Sequence, residues 1–133
     1  ENAVRLTMPE QCFVRGNIAL LQSAIENVIR NAVSYTTPDA SVDIHLERVE
    51  KAEGSFILLS IRDYGVGVPE SELPNIFRPF YRVADDRDRQ SGGAGLGLAI
   101  ADRVIGIHHG SICARNVSPH GLCVDICLPA IAE

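Results

Sequence analysis

One lysine and no tryptophan occur in the 133 residues. The scarcity of lysine is informative, because a phosphate-binding P-loop requires G-K-[ST] and a protein serine/threonine kinase requires a strand lysine on the phosphates. Lys51 lies in the polar stretch Val49-Glu50-Lys51-Ala52-Glu53-Gly54 and meets neither requirement, so both classes are excluded. No apolar run approaches the roughly 20 residues that span a bilayer, and no basic-then-apolar signal segment opens the chain. Positive charge is in deficit, with 12 Lys plus Arg against 17 Asp plus Glu and a formal net charge of -5. That balance argues against nucleic acid or a membrane surface as the main partner. The four cysteines form no C-x-x-C pair, which removes a zinc knuckle or thioredoxin-like site. Cys123 and Cys127 fall four apart in an expected strand, hence on one face, with Cys113 on a neighbouring strand. They read as small buried hydrophobes, a metal or redox role being the alternative.

What is present suits a single globular domain over 1–133, 46% hydrophobic and 22% charged. A chain this long buries roughly two-thirds of its unfolded surface and needs no staple. Because it opens at Glu1 without a Met, it is expected to be part of something longer. A short strand is predicted over Gln11–Arg15. Ile18, Leu21, Ile25, Val28, Ile29 and Ala32 recur at helical spacing and predict an amphipathic helix from Ile18 to Tyr35, with Asn17 as N-cap. Val42, Ile44 and Leu46 alternate with polar residues as a half-buried strand, and Phe56–Arg62 reads as a central strand hairpinned to it. Leu96, Ile100, Val104 and Ile107 restore the helical period. Ser111–Val117 and Leu122–Leu128 form a second strand pair. This order predicts an α/β sandwich of the α+β class rather than an alternating βαβ fold: helices on one face of a mixed, mostly antiparallel sheet.

Four constellations carry chemistry. Asn27, Arg30, Asn31 and Ser34 lie at i, i+3, i+4 and i+7, opposite the apolar stripe. They are either a solvated face or a site where an Asn oxygen coordinates Mg²⁺ with Arg30 near phosphate. In Arg62-Asp63-Tyr64-Gly65-Val66-Gly67-Val68-Pro69, Asp63 ends the apolar strand and two glycines follow. That is either an Asp-initiated turn or a fixed carboxylate beside a flat slot for an exocyclic amine, as on adenine. Ser91-Gly92-Gly93-Ala94-Gly95-Leu96-Gly97-Leu98 runs into a helix and offers backbone N–H groups to phosphate, a flexible linker being the alternative. It fails the Rossmann G-x-G-x-x-G, whose third glycine would fall at Leu98 or Ile100. Ile76-Phe77-Arg78-Pro79-Phe80-Tyr81-Arg82 gathers three aromatics that read first as core. Arg82, Arg87 and Arg89 are candidate phosphate contacts, unless Asp85, Asp86 and Asp88 pair with the last two.

Taken in order, these segments resemble the catalytic and ATP-binding domain of bacterial sensor histidine kinases, within the GHKL (Bergerat-fold) ATPase superfamily. Asn27–Tyr35 is similar to the N box, Asp63–Gly67 to the G1 box, Ile76–Arg82 to the F box and Gly93–Ile100 to the G2 box, so that about 15–129 is covered. The wording around Ile25-Glu26-Asn27 and Arg87–Gly93 leans toward the Cpx-like envelope-stress sensors. The resemblance implies that Asp63 accepts the adenine amine in a slot shaped by Gly65 and Gly67, with Tyr35 flanking the nucleotide. It implies Asn31 as the Mg²⁺ ligand, Asn27 close by, and Gly93, Gly95, Leu96, Gly97 and Leu98 at the phosphate-side hinge of a mobile ATP lid over about 83–94. Arg82 would touch the γ-phosphate, and Arg82 and Asn31 would serve transfer itself. Ser34 stands where the family commonly has Lys or Arg, and Asn17 where Asp is frequent; Arg30 is expected to compensate for the first.

The implied activity is a protein histidine kinase that binds Mg-ATP and donates the γ-phosphate to a histidine on a separate dimerisation domain, for relay to a response-regulator aspartate. None of His45, His108, His109 and His120 precedes an acidic residue on an exposed helix, so none is the expected acceptor. The implied partners are the dimerisation and phosphoacceptor domain of the same kinase and a cognate response regulator, with no nucleic acid. This chain is expected to be monomeric and cytoplasmic, its parent a homodimer in the bacterial inner membrane. The rival readings are another GHKL ATPase, such as an anti-sigma serine kinase, and a degenerate interaction module.

Overall fold

The computed structural model describes residues 3–7, 13–36, 39–81 and 96–131. Within them, seven regular elements follow in the order β1 (Ala3–Thr7), α1 (Ile18–Tyr35), β2 (Ser41–Lys51), β3 (Gly54–Arg62), α2 (Gly97–Ile107), β4 (Ser111–Asn116) and β5 (Leu122–Pro129), with a 3-10 turn at Glu70–Asn75. The strands form one sheet in the order β1-β2-β3-β5-β4. β1 pairs parallel with β2 and every other pairing is antiparallel, so the sheet is mixed as expected.

α1 starts where the Asn17 side chain accepts a hydrogen bond from the Leu20 N–H at 3.0 Å, the capping geometry that satisfies an orphan amide. It buries Ala24, Val28 and Ala32, with Leu21, Ile25, Ile29 and Val33 partly covered. Ile18 was expected on this stripe but is 82% exposed, since the buried line begins only at Ala24. α2 buries Ala101, Val104 and Ile105 and packs on α1. Both helices lie on the sheet face formed by Val42, Ile44, Ile61, Val124, Ile126 and Leu128, making a single aliphatic core. Alternate strand residues therefore point to the opposite, more polar face.

The expected strand over Gln11–Arg15 and the expected burial of the cysteines need correction. Phe13–Arg15 carries no strand, and residues 11 and 12 lie outside the described set; a strand stands instead at Ala3–Thr7. The Phe13 carbonyl accepts a bond from the Ile131 N–H at 2.9 Å, and Gly16, three residues on, lies against the His108 ring. Because β1 runs parallel to β2 with α1 between them, the fold also contains one βαβ unit. The cysteines divide: Cys123 is buried, with its thiol pushed up to about 11 by burial and then by Asp125, whereas Cys113 is exposed. All three described cysteines are free thiols.

Candidate functional site

Asp63 sits one residue beyond β3, where the sheet ladder would end. Its N–H donates to the Leu122 carbonyl at 2.9 Å, and its own Oδ1 accepts from the Leu122 N–H at 3.0 Å, so a side-chain oxygen takes the place of the next backbone acceptor. Oδ1 also accepts from the Gly65 N–H at 2.9 Å. Both bonds fall on one oxygen; no hydrogen bond from the described residues reaches Oδ2. The residue is only 3% exposed, and burial raises its pKa above the ordinary carboxylate value, against the lowering effects of the Gly65 and Leu122 amides and of nearby Arg62 and His120. A rigid, desolvated carboxylate with one unengaged oxygen is an acceptor that waits for a donor.

The wall around it is built from three elements. Thr36, buried at the C-cap of α1, accepts a bond from the Tyr64 N–H at 3.0 Å through its hydroxyl. Gly65 lies against the Tyr35 carbonyl so closely that a Cβ would overlap it, which is why glycine is required there. Tyr64 donates its hydroxyl to Asp43 of β2 and lies under the Arg62 guanidinium at 4.2 Å. Arg62 Nη2 donates to the Ser118 and His120 carbonyls, at 2.9 and 3.1 Å. The His120 Nδ1 lies 3.1 Å from the Gly65 carbonyl, and Asn116 spans from β4 to Val68 and Glu70. Gly67 adopts φ +81° beside this amide, a conformation that favours glycine.

Along α1, Asn27, Asn31 and Tyr35 occupy one face at i, i+4 and i+8, a line about 12 Å long at the helical rise. Tyr35 ends it beside Gly65. Asn27 begins it beside Gly97, where a methyl would stand 3.4 Å from Asn27 Oδ1. The structure thus joins the N-box and G2-box residues at one end and the N-box and G1-box residues at the other. Arg30 Nη1 donates to Asn27 Oδ1 at 3.1 Å, and the Ser34 hydroxyl turns back to the Asn31 carbonyl at 2.8 Å. The Asn31 amide is half-buried and has no hydrogen bond among the described residues. Leu98 packs on the core and Leu96 stands at the mouth of α2, 36% exposed. Arg82, Gly93, Gly95 and the expected lid over about 83–94 lie outside the described residues. The F-box aromatics split: Phe77 and Tyr81 pack on the core, Tyr81 also donating to Glu72 at 2.6 Å, while Phe80 is 69% exposed.

Sequence reasoning missed Thr36, Arg62, Asn116 and His120 as parts of this wall. Each acts through a long-range bond that no local spacing announces, although a Thr closing a helix and an Asn closing a strand are signals of the right kind. His108 stands at the C-cap of α2. Its Nε2 accepts from the Asn17 N–H at 3.0 Å while Nδ1 meets the Val104 carbonyl at 2.8 Å, pinning the start of α1 to the end of α2. A pocket of about 400 Å³ opens beside it, lined by Val14, Ile107, Leu128 and Ile131 among others, and holds none of the residues singled out for the site.

Residues 16–132 match the family described as histidine kinase-, DNA gyrase B-, and HSP90-like ATPases. The sensor protein PfeS of Pseudomonas aeruginosa is 40% identical over 121 residues, which cover 91% of this chain and 25% of PfeS. The sensor histidine kinase CpxA of Escherichia coli K12 is 40% identical over 114 residues, covering 86% and 24% respectively. The chain therefore spans about a quarter of the length of these curated relatives. The solved structure of the mycobacterial sensor histidine kinase MprB superposes with a TM-score of 0.80 at 28% identity, covering all of this chain and 83% of that one.

Proposed function

This chain belongs to the histidine kinase-, DNA gyrase B-, and HSP90-like ATPase family, and on that premise we propose that it is the ATP-binding catalytic domain of a two-component sensor histidine kinase. The observation that carries the reading is Asp63: a buried carboxylate, fixed by two backbone amides through Oδ1, with Oδ2 left for a donor. The adenine amine is the donor that fits. Gly65 and Gly67 keep the slot flat, and Tyr35 closes its side.

From there the nucleotide lies along α1, its phosphates directed toward Asn27 and Gly97. The residues present suit Mg²⁺, since Asn31 offers a half-buried amide oxygen, a hard ligand, without a competing bond among the described residues. Bound there, the ion supplies charge neutralisation across the phosphates. Arg30 holds the Asn27 amide in place and adds the positive charge that Ser34 withholds. Arg82, Gly93 and Gly95 keep the roles implied by their place in the motifs. In transfer the protein's task is positioning and electrostatics: a base held at one end, a phosphate tail held at the other, and an acceptor brought to the terminal phosphorus. The acceptor is a histidine of a separate dimerisation domain, and a response-regulator aspartate receives the group next. The parent kinase works as a homodimer at the inner membrane, this domain on its cytoplasmic side.

Calorimetry with Mg-ATP tests the reading. The parent chain binds and Asp63→Asn, which replaces the free acceptor oxygen by an N–H donor, does not. A parent that fails to bind, or a variant that binds equally well, overturns it. Incubation of this chain alone with Mg-ATP leaves no stable phosphohistidine.

A further inference from the structure

The β4–β5 hairpin enters the wall of the site at several points, and one of its side chains takes over a task that backbone normally performs. Asn116, the last residue of β4, lays its amide alongside Val68. Oδ1 accepts from the Val68 N–H at 2.9 Å, and Nδ2 donates to the Val68 carbonyl at 2.7 Å. The second Nδ2 hydrogen goes to Glu70 Oε2 at 3.0 Å. The same Oδ1 stands 2.6 Å from where a Cβ on Gly67 would be, so amide and loop are in direct contact. The segment Gly67–Glu70 belongs to no strand, and Asn116 pairs with it as a short surrogate strand would.

We infer that Asn116 is a positioning residue for base recognition: it fixes the Gly67–Glu70 limb of the slot relative to Asp63, and so decides how well a base amine is selected. The inference rests on the nucleotide reading above. Asp63 is anchored by the backbone amides of Leu122 and Gly65; Leu122 is the register partner of Asn116 on β5, but the Asn116 side chain takes no part in that anchor, so Asp63 stays in place when the side chain is changed. What moves is the opposite side of the slot. The other end of the nucleotide, at Asn27 and Gly97, is remote from both. Loss of Asn116 therefore weakens selection of the amine more than it weakens grip on the phosphates. Only a primary amide at this reach supplies one acceptor and two donors. Aspartate keeps the acceptor, loses both donors and repels Glu70.

The test measures affinity of the parent, Asn116→Leu, Asn116→Asp and Asn116→Ser for Mg-ATP and for purine riboside triphosphate, which lacks the exocyclic amine. Thermal unfolding is recorded alongside. The parent prefers ATP. In the variants ATP affinity falls about tenfold while that of the amine-free analogue falls less than about threefold, so the preference collapses. Asn116→Ser serves if the leucine variant does not fold. Equal loss for both nucleotides, or unchanged affinity for ATP with the parent still selective, overturns the role of Asn116 and leaves Asp63 standing. A parent that binds neither nucleotide overturns the nucleotide reading itself and this inference with it, and a parent that binds both alike overturns amine recognition at Asp63 and with it the role of Asn116.

Discussion

Asp63 is maintained at a cost in stability. A carboxylate whose pKa is raised by burial favours its protonated form in the folded state, so the folded chain takes up a proton at a higher pH than the unfolded chain does. Its ionisation therefore subtracts from stability at neutral pH, and the penalty disappears as pH falls through the raised value toward 3.8. Asp63→Asn keeps an Oδ1 acceptor for the Gly65 and Leu122 amides and removes the buried charge. Without nucleotide, this variant is expected to unfold at a temperature equal to or above that of the parent at pH 7, with the gap closing as the pH is lowered. Nucleotide affinity of the parent falls over the same acid range, because the acceptor oxygen gains a proton. A variant markedly less stable than the parent at pH 7 would contradict this. Thr36 presents the opposite case, a buried hydroxyl satisfied by the Tyr64 amide; Thr36→Val removes that acceptor and costs about 1–3 kcal/mol in denaturant unfolding.

The elements themselves were largely legible in the sequence. The 3.6-residue period over Ile18–Tyr35 and the Asn17 cap gave α1 with its observed ends, because a helix is specified by its own residues. Both hairpins followed from alternation and a polar turn. β2 ran longer than the alternation suggested, through Lys51, since its register with β3 continues to Gly54. β1 was misplaced, because a parallel edge strand owes its position to β2, a partner 38 residues away in register at Ala3 and Ser41. For the site, Asp63, Asn27 and Gly97 were readable from motif spacing, and the bonds that brace them were not. Two glycines measure how the elements meet. Gly65→Ala would drive a methyl into the Tyr35 carbonyl, and is expected to cost more than about 1 kcal/mol and to abolish nucleotide binding. Gly97→Ala has ordinary contact distance at the start of α2 and gains helix propensity, so its unfolding midpoint stays level or rises by up to about 1 kcal/mol. Equal losses for the two would show that the α1–loop contact is not the tight one.

At the scale of the whole molecule, one aliphatic core joins both helices to four strands. Ile126, fully buried on β5, touches the centre of that layer; Ile126→Ala is expected to destabilise by roughly 2–5 kcal/mol, with saturating Mg-ATP returning part of the loss because only the folded state binds it. β3, the strand that delivers Asp63, occupies the middle of the sheet with two neighbours on either side. Its amides can exchange with deuterated solvent only when the entire layer opens, whereas those of Gly97 and Leu98, at a start of α2 that has no side-chain cap, are released by local opening. The Asp63 end of the proposed site is in this sense inherited from global stability and the Gly97 end from local fluctuation. Deuterium uptake should register nucleotide at Gly97–Ile100 as direct local protection, and at Ile57–Ile61 as a further slowing set by the gain in global stability.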